Sequence, residues 1–561
     1  MFNFLSLKKS DLEKIIWWLG FIGPIFIFFF LVFRYSYDFP KDDDFDSPIN
    51  SALEFFSLES WKDKLSSVLQ FHSDHRLAVL RCFSIVHIYI FGTLNFKAIT
   101  LYGIVLLVPI YLMLIYPLIK KKHYLSIIPS SYLVFNLSYE SSLMWAHSSM
   151  NYTPVLFCTI ISIYFASVAK FNTNNFILSF LFCVLGSLSY GNGILAFVVV
   201  IIILIIRIRK WTPIVTWLFL SIGFIWIYFS RYERAGYLGA PNAYLENVLI
   251  KVQGLFVMSG GYVYLNSGDI KQSSFLGLLI IASLIYIIWV YRKSILKEGY
   301  ELFYLGVIAF ILGTVFLLAV GRLSDEASLL TFIQNRYKFY SIFLLTTVYL
   351  LFSYIHRIDK MVVFGIITLV VCYNFYSFFL FKNQLDFNHK SFLTSSYNWK
   401  NNGRGLSYYW DMQDQASSIM KAFEKEDLFR TSVPSYFIGL DTDLNVGHTE
   451  LSIRKDSLRV NFGNKAVDIM EVLLFENDFE KTSDLHHGVY FIFKSERQLY
   501  IFPASQNINP GKNFLKNGKG VSGSINEEHL AQGEYEIFCL YLLKNGQKMI
   551  KKTDKKIWIG G

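Results

Sequence analysis

The chain has 561 residues, of which 53% are hydrophobic, 18% aromatic and only 17% charged, against about 25% charged in an ordinary soluble protein. With a mean hydropathy of +0.39 and charge-free runs such as Ile194–Ile206 and Val362–Cys372, this excludes a purely soluble fold and reads as a polytopic α-helical membrane protein. The net charge of +10 sits at the ends of apolar runs, which argues against nucleic acid as a partner, and the five cysteines (Cys82, Cys158, Cys183, Cys372, Cys539) show neither paired spacing nor a CxxC, so they read as structural thiols.

Apolar stretches of roughly 17–25 residues predict about eleven spans, near 15–33, 98–119, 124–145, 153–169, 176–190, 192–206, 211–230, 274–291, 301–320, 338–355 and 361–381. Basic clusters at Lys8/Lys9/Lys14, Lys120–Lys122, Arg207/Arg209/Lys210, Arg292/Lys293/Lys297 and Arg357/Lys360 recur on one side. By the positive-inside rule that side is cytoplasmic, which places the protein in the inner (cytoplasmic) membrane with its N-terminus inside and its C-terminal segment periplasmic or extracellular. The first span reads as an uncleaved anchor, and Leu77–Phe91, interrupted by Arg81 and His87, as a helix lying on the outer surface.

These features divide the chain into a transmembrane domain over 1–384, with long outer loops at 35–97 and 231–273, then a linker with an amphipathic helix over 385–430, and an extracytoplasmic domain over 431–561. Past Phe381 the composition becomes that of a soluble domain. Residues 411–430 predict the amphipathic helix, and short alternating segments at Leu458–Phe462, Val489–Lys494, Gln498–Phe502 and Tyr535–Leu543, with a turn at Lys544-Asn545-Gly546, predict a β-rich, sandwich-like fold. Tyr408, Tyr409 and Trp410 suggest carbohydrate binding there, against a purely structural cap.

Chemistry concentrates in the outer loops. Residues 35–76 hold nine acids against four bases, opening with Asp38-Phe39-Pro40-Lys41-Asp42-Asp43-Asp44-Phe45-Asp46. Crowded carboxylates at a membrane surface suit a general base, because like charge raises proton affinity; the Asp42–Asp46 cluster could equally hold a divalent cation, or be a solvated acidic loop. Downstream, His72-Ser73-Asp74-His75-Arg76 and then Arg81 suit a grip on phosphate or a polar sugar. A third outer loop carries Gly321-Arg322 and, beyond it, Arg336-Tyr337, placed to neutralise a lipid phosphate or simply to anchor the helix ends. Trp145-Ala146-His147-Ser148-Ser149-Met150-Asn151-Tyr152 and Ser189-Tyr190-Gly191-Asn192-Gly193 are polar breaks on the same side, the first a cavity lining and the second a tight turn. Two histidines and an aspartate without a third ligand do not make a zinc site, so no metal is assigned. A P-loop, GxSxG and HExxH are all missing.

This layout resembles the GT-C superfamily of integral-membrane glycosyltransferases, which includes protein mannosyltransferases and aminoarabinose transferases. Asp42-Asp43-Asp44 stands where that family carries an acidic motif after its first span, and the His75-Arg76…Arg81 and Gly321-Arg322…Arg336-Tyr337 segments resemble patterns in bacterial membrane proteins of this type. The resemblance covers about 1–381. It implies transfer of a sugar from a polyprenyl-phosphate carrier to a glycan, lipid or protein acceptor on the outer face, with inversion. Asp43 or Asp44 would be the catalytic base, Arg336 with Arg322 or Arg76 would hold the phosphate, and Asp42, Asp46, His75, Arg81, Trp145 and Tyr337 would line the substrate site. A polymerase or ligase of envelope glycans and a non-enzymatic membrane scaffold with a glycan-binding outer domain are the alternative expectations.

Overall fold

In the computed structural model the described residues are 9–208, 210–230, 232, 247–264, 270–295, 299–323, 329–330, 333, 335–407, 413–440, 448–459, 466–474, 485–508 and 517–560. The chain forms two compact units: Met1–Arg34, Leu69–Leu80 and Thr100–Phe381 in the first, and Tyr35–Val68, Arg81–Ile99 and Lys382–Gly561 in the second.

The first unit is helical. Seven helices among the described residues are long and apolar enough to cross a membrane: Phe96–Lys120, Ala146–Ser167, Trp211–Phe229, Ile270–Arg292, Gly299–Arg322, Arg336–Ile355 and Lys360–Asn402. These mark an integral membrane protein. Shorter apolar helices lie at Gly20–Tyr35, Thr173–Ser189, Gly191–Arg207 and Val248–Ser259, with a further one at Ala78–Phe91 that from Arg81 onward belongs to the second unit. Burial sorts them. Ala146–Ser167 is 78% buried along its apolar window and Trp211–Phe229 only 22%. The latter leaves Phe219 and Trp226 76% exposed, an apolar surface suited to lipid. The buried helix packs through small polar residues: Thr153 Oγ1 donates to Gly103 O (2.7 Å) and Ser162 Oγ to Ser179 O (2.8 Å). A Cβ on Gly103 would lie 2.6 Å from the Ser149 carbonyl carbon, the close backbone approach that membrane helices achieve with small residues.

The stretch expected as a span over 124–145 is not one helix. It folds as four short pieces, Tyr124–Ile127, Ile128–Val134, Leu137–Tyr139 and Glu140–Leu143. At the break between the second and third pieces, the Asn136 side chain accepts from Ser138 N (2.8 Å), offering the backbone a local alternative to the helix ladder. Asn374 Nδ2 then donates to the carbonyls of Tyr132 (2.7 Å) and Phe135 (3.2 Å), so acceptors near the break are satisfied away from water. The helix Lys360–Asn402 runs 43 residues, well past the change of composition at Phe381.

The second unit contains the first acidic segment and the C-terminal β-rich region. Its strands are β3 (His448–Thr449), β4 (Leu451–Arg459), β5 (Ala466–Leu474), β6 (Gly488–Lys494), β7 (Leu499–Pro503), β8 (Ser505–Ile508), β9 (Asn517–Asn526), β10 (Gly533–Leu542) and β11 (Lys548–Ile559); β1 and β2 belong to a small hairpin in the first unit, described below. They form a five-stranded sheet, β3-β11-β10-β6-β7, and a four-stranded sheet, β4-β5-β9-β8. The hairpin expected at Lys544-Asn545-Gly546 joins β10 to β11, closed by Leu543 N to Gln547 O (3.0 Å), with Gly546 at φ +82°. Val489, Phe491 and Phe493 pack between the sheets with Met470, Tyr500 and Ile537. Tyr490 and Ile492 face the other way, against Leu393, Tyr397 and Phe437. Strand β6 is therefore covered on both faces, which is why Val489–Phe493 reads as unbroken apolar sequence where an alternating strand was expected. Helix Lys360–Asn402 also reaches the sheet edge: Asn398 donates to Ile501 O and accepts from Ile501 N (both 2.8 Å), and Asn402 Nδ2 donates to Leu499 O (2.8 Å). Two side-chain amides one helical turn apart thus pair with β7 as a neighbouring strand would.

Candidate functional site

The first unit gathers a cationic and aromatic cluster. Strands β1 (Phe71–His72) and β2 (His75–Arg76) form a hairpin in which His72 faces His75, with Ser73 at φ +51° in the turn. Arg76 fastens it. Its Nε donates to Tyr228 O (2.8 Å), Nη2 to Ser230 O (2.9 Å) and Nη1 to Leu69 O, while its guanidinium lies 4.2 Å over the Phe71 ring. Arg76 ties the hairpin to the end of Trp211–Phe229, an occupation distinct from the phosphate contact expected of it.

His75 is held between aromatic and cationic neighbours. Its ring centroid is 4.2 Å from that of Tyr190. Burial, then the positive charge of Arg322, pushes its imidazole down to about 3, so it is neutral at physiological pH. Its Nδ1 is buried and has no hydrogen-bond partner among the described residues. Gly191 makes this packing feasible, since a Cβ there would sit 2.4 Å from His75 Nδ1. Gly191 is followed by Asn192, whose Nδ2 donates to Thr314 Oγ1 and Tyr340 Oη (both 3.0 Å). Beyond His75 the aromatic chain continues: His72 to His147 at 5.6 Å and His147 stacked on Trp145 at 5.3 Å.

The expected arginines converge on the same place. Arg322 Nη1 donates to Tyr337 Oη (3.0 Å), and the Arg336 guanidinium lies 5.0 Å over the Tyr337 ring. Arg336 feels Tyr337, Tyr152, Tyr190 and the like charge of Arg322. Its Nε is buried without a hydrogen-bond partner among the described residues. Two guanidinium groups brought together in partial burial repel each other, and an anion between them relieves both the repulsion and the unmet donor. Of the sequence expectations, His75, Trp145, Arg322, Arg336 and Tyr337 thus belong to one cluster. Tyr152 and Tyr190 are additions. The signal for Tyr190 and Gly191 lay in Ser189-Tyr190-Gly191-Asn192-Gly193, read from sequence as a turn.

The acidic segment belongs to the second unit. Asp44 is 1% exposed and accepts from Lys41 N through Oδ2 (3.1 Å). Asp42, at φ +46°, donates its N–H to Ser407 O (2.7 Å), and its carboxylate lies 3.7 Å from Lys41 Nζ. Asp43 and Asp46 are half-buried. Asp38, earlier in the segment, accepts from Phe96 N (2.7 Å) and Asn95 Nδ2 (2.9 Å), and burial pushes its carboxyl up to about 6. Arg81 is buried and donates to the carbonyls of Ser67 (3.2 Å) and Val68 (3.1 Å) and to Ser47 Oγ (3.4 Å). Ser324–Glu326, Gln334 and Tyr408–Trp410 lie outside the described residues.

Comparison of the chain with protein-family models, curated proteins and solved structures finds no match.

Proposed function

We propose that the protein is a membrane glycosyltransferase that takes a sugar from a polyprenyl-phosphate carrier and transfers it to a glycan, lipid or protein acceptor on the outer face of the membrane. The observation that carries this reading is the pair Arg322 and Arg336 around Tyr337, with a buried, unbonded Nε on Arg336 and a neutral His75 nearby. Arginine at a membrane helix end offers the planar, permanently charged donor that a lipid phosphate requires.

The chemistry follows from charge. A carboxylate, Asp43 or Asp44, takes the proton of the acceptor hydroxyl. That oxygen bonds to the anomeric carbon from the face opposite the phosphate, the carbon–oxygen bond to phosphate breaks, and the electron pair leaves on the phosphate. Arg322 and Arg336 stabilise that developing charge, which matters more for a phosphate leaving group than an added proton. Neutral His75 offers a hydrogen bond without adding a third positive charge.

Mass spectrometry of surface glycans and glycolipids from cells carrying wild type, a deletion, Arg336→Ala or Asp43→Asn tests this. Loss of one sugar's mass in the deletion and both variants, with the variant proteins still in the membrane, is expected. Shortened chains of unchanged repeat composition would indicate a polymerase, and unchanged glycans in all strains would sink the transferase reading.

A further inference from the structure

The second unit holds a cavity of about 150 Å3 between the C-terminal part of helix Lys360–Asn402 and the sheets, lined among others by Ser391, Thr394, Ser524, Asn526, His529 and Phe502. None of its thirteen lining residues is an acid, a lysine or an arginine. Two lining groups lack partners among the described residues: Asn526 Nδ2, on a side chain only 8% exposed, and His529 Nε2. Asn526 Oδ1 is fixed by Glu528 N (3.0 Å), which orients the amide and leaves its N–H2 as an unmet donor. Burial holds His529 down to about 4, so the imidazole is neutral and presents one nitrogen as donor or acceptor. The rings of His529 and Phe502 lie nearly parallel, 6.4 Å apart at 9°.

Buried polar atoms are ordinarily satisfied, and leaving two unmet in one cavity costs stability unless something fills it. The lining selects what that is. An anion would meet no fixed positive charge. An extended peptide would need a strand edge, and the nearest, β7, is already bonded by Asn398 and Asn402. A lipid chain would strand the hydroxyls and amides. A pyranose ring offers hydroxyls that both donate and accept and a C–H face that packs on an aromatic ring, which matches Asn526, His529, the serines and Phe502.

We infer that this cavity is a binding site for one neutral sugar residue. It uses residues of the second unit alone, and it stands apart from the transferase reading because its test measures binding rather than transfer.

The test is saturation-transfer-difference NMR on the full chain in detergent, with glucose, galactose, N-acetylglucosamine, glucuronic acid and inorganic phosphate as separate probes. Two variants accompany wild type: Asn526→Leu, which removes the unmet donor, and Ser524→Trp, an exposed rim position where added bulk closes the mouth without disturbing the core. Transfer to at least one neutral sugar, none to glucuronic acid or phosphate, and a loss of about tenfold or more in signal in Ser524→Trp at unchanged melting temperature are expected. No transfer to any neutral sugar, equal transfer to glucuronic acid, or signal persisting in both variants would overturn the assignment.

Discussion

The cationic cluster of the first unit and the cavity of the second share one feature, buried polar atoms without partners, and differ in charge. Around Tyr337 the unmet donor belongs to a permanently charged guanidinium beside a second one; around Asn526 and His529 the unmet groups are neutral and their neighbours are hydroxyls. Unmet hydrogen bonding is widespread among the described residues, so it does not by itself mark a ligand; what separates these two places is the charge of the surrounding side chains. On the readings proposed above, the first would take a phosphate and the second a polyol, although histidine and aromatic rings furnish both.

The sharpest way to break this comparison is at Arg336. Arg336→Ala should lower sugar transfer by about 100-fold or more, the cost of deleting a donor aimed at developing charge, and Arg336→Lys should recover only part of it because a point charge does not replace a planar fork. Equal activity in the Lys variant would show that charge alone matters. The carboxylates come next. Asp44→Ala should lower stability by about 1–3 kcal/mol, since it removes the acceptor of the Lys41 N–H, whereas Asp43→Asn, which keeps the side chain's shape, should cost less stability while removing transfer. If the two variants exchange these phenotypes, the base is Asp44. A smaller effect is expected from Gly191→Ala, whose methyl group would meet His75 Nδ1 at 2.4 Å. Displacing that ring should cost about 1–3 kcal/mol by overpacking and reduce transfer less than Arg336→Ala, measured on the same membranes.

The smallest effect is a slope against pH. His529 has a folded value of about 4 against an ordinary 6.5, so between those values the unfolded chain binds the extra proton and stability falls as pH falls. Asp38 acts oppositely: its folded value of about 6 lies above 3.8, so the folded chain binds the proton and its contribution declines as pH rises from about 4 to 6. Thermal melts of His529→Gln should lose part of the rise with pH, and those of Asp38→Asn part of the decline. An unchanged slope in both would remove the electrostatic account of these two sites.

What the sequence made legible was what hydropathy and local turn chemistry encode: the apolar helices, the β-rich region and the Lys544-Asn545-Gly546 hairpin. Hydropathy reports composition rather than continuity, so it took 124–145 for a span although the helix breaks there, at one point beside Asn136, whose side chain accepts from Ser138 N. It also missed that Lys360–Asn402 continues through the polar residues that cover β6 and bind β7. In the cluster, Arg322, Arg336, Tyr337 and His75 could be named singly because charge near a span end is conspicuous. Tyr152, Tyr190 and Gly191 lay inside segments read as polar breaks, but their contacts with the cluster could not be read, because those lie in approach across distant segments. The sugar cavity was illegible for the same reason: its lining runs from Phe387 to His529, and no local pattern links serines so far apart.

The amide pairing of Asn398 and Asn402 with β7 has a consequence for synthesis and assembly. The helix carrying both asparagines is made before the strand, so the partner that finishes the sheet edge is in place when β7 emerges. At the opposite side the five-stranded sheet ends in β3, only two residues long. One boundary of that sheet is closed by side chains; at the other β3 covers only Lys552 and Thr553 of the 12-residue β11, and the lysines β11 carries (Lys548, Lys551, Lys552, Lys555 and Lys556) supply the charge by which an edge strand discourages pairing with a neighbour.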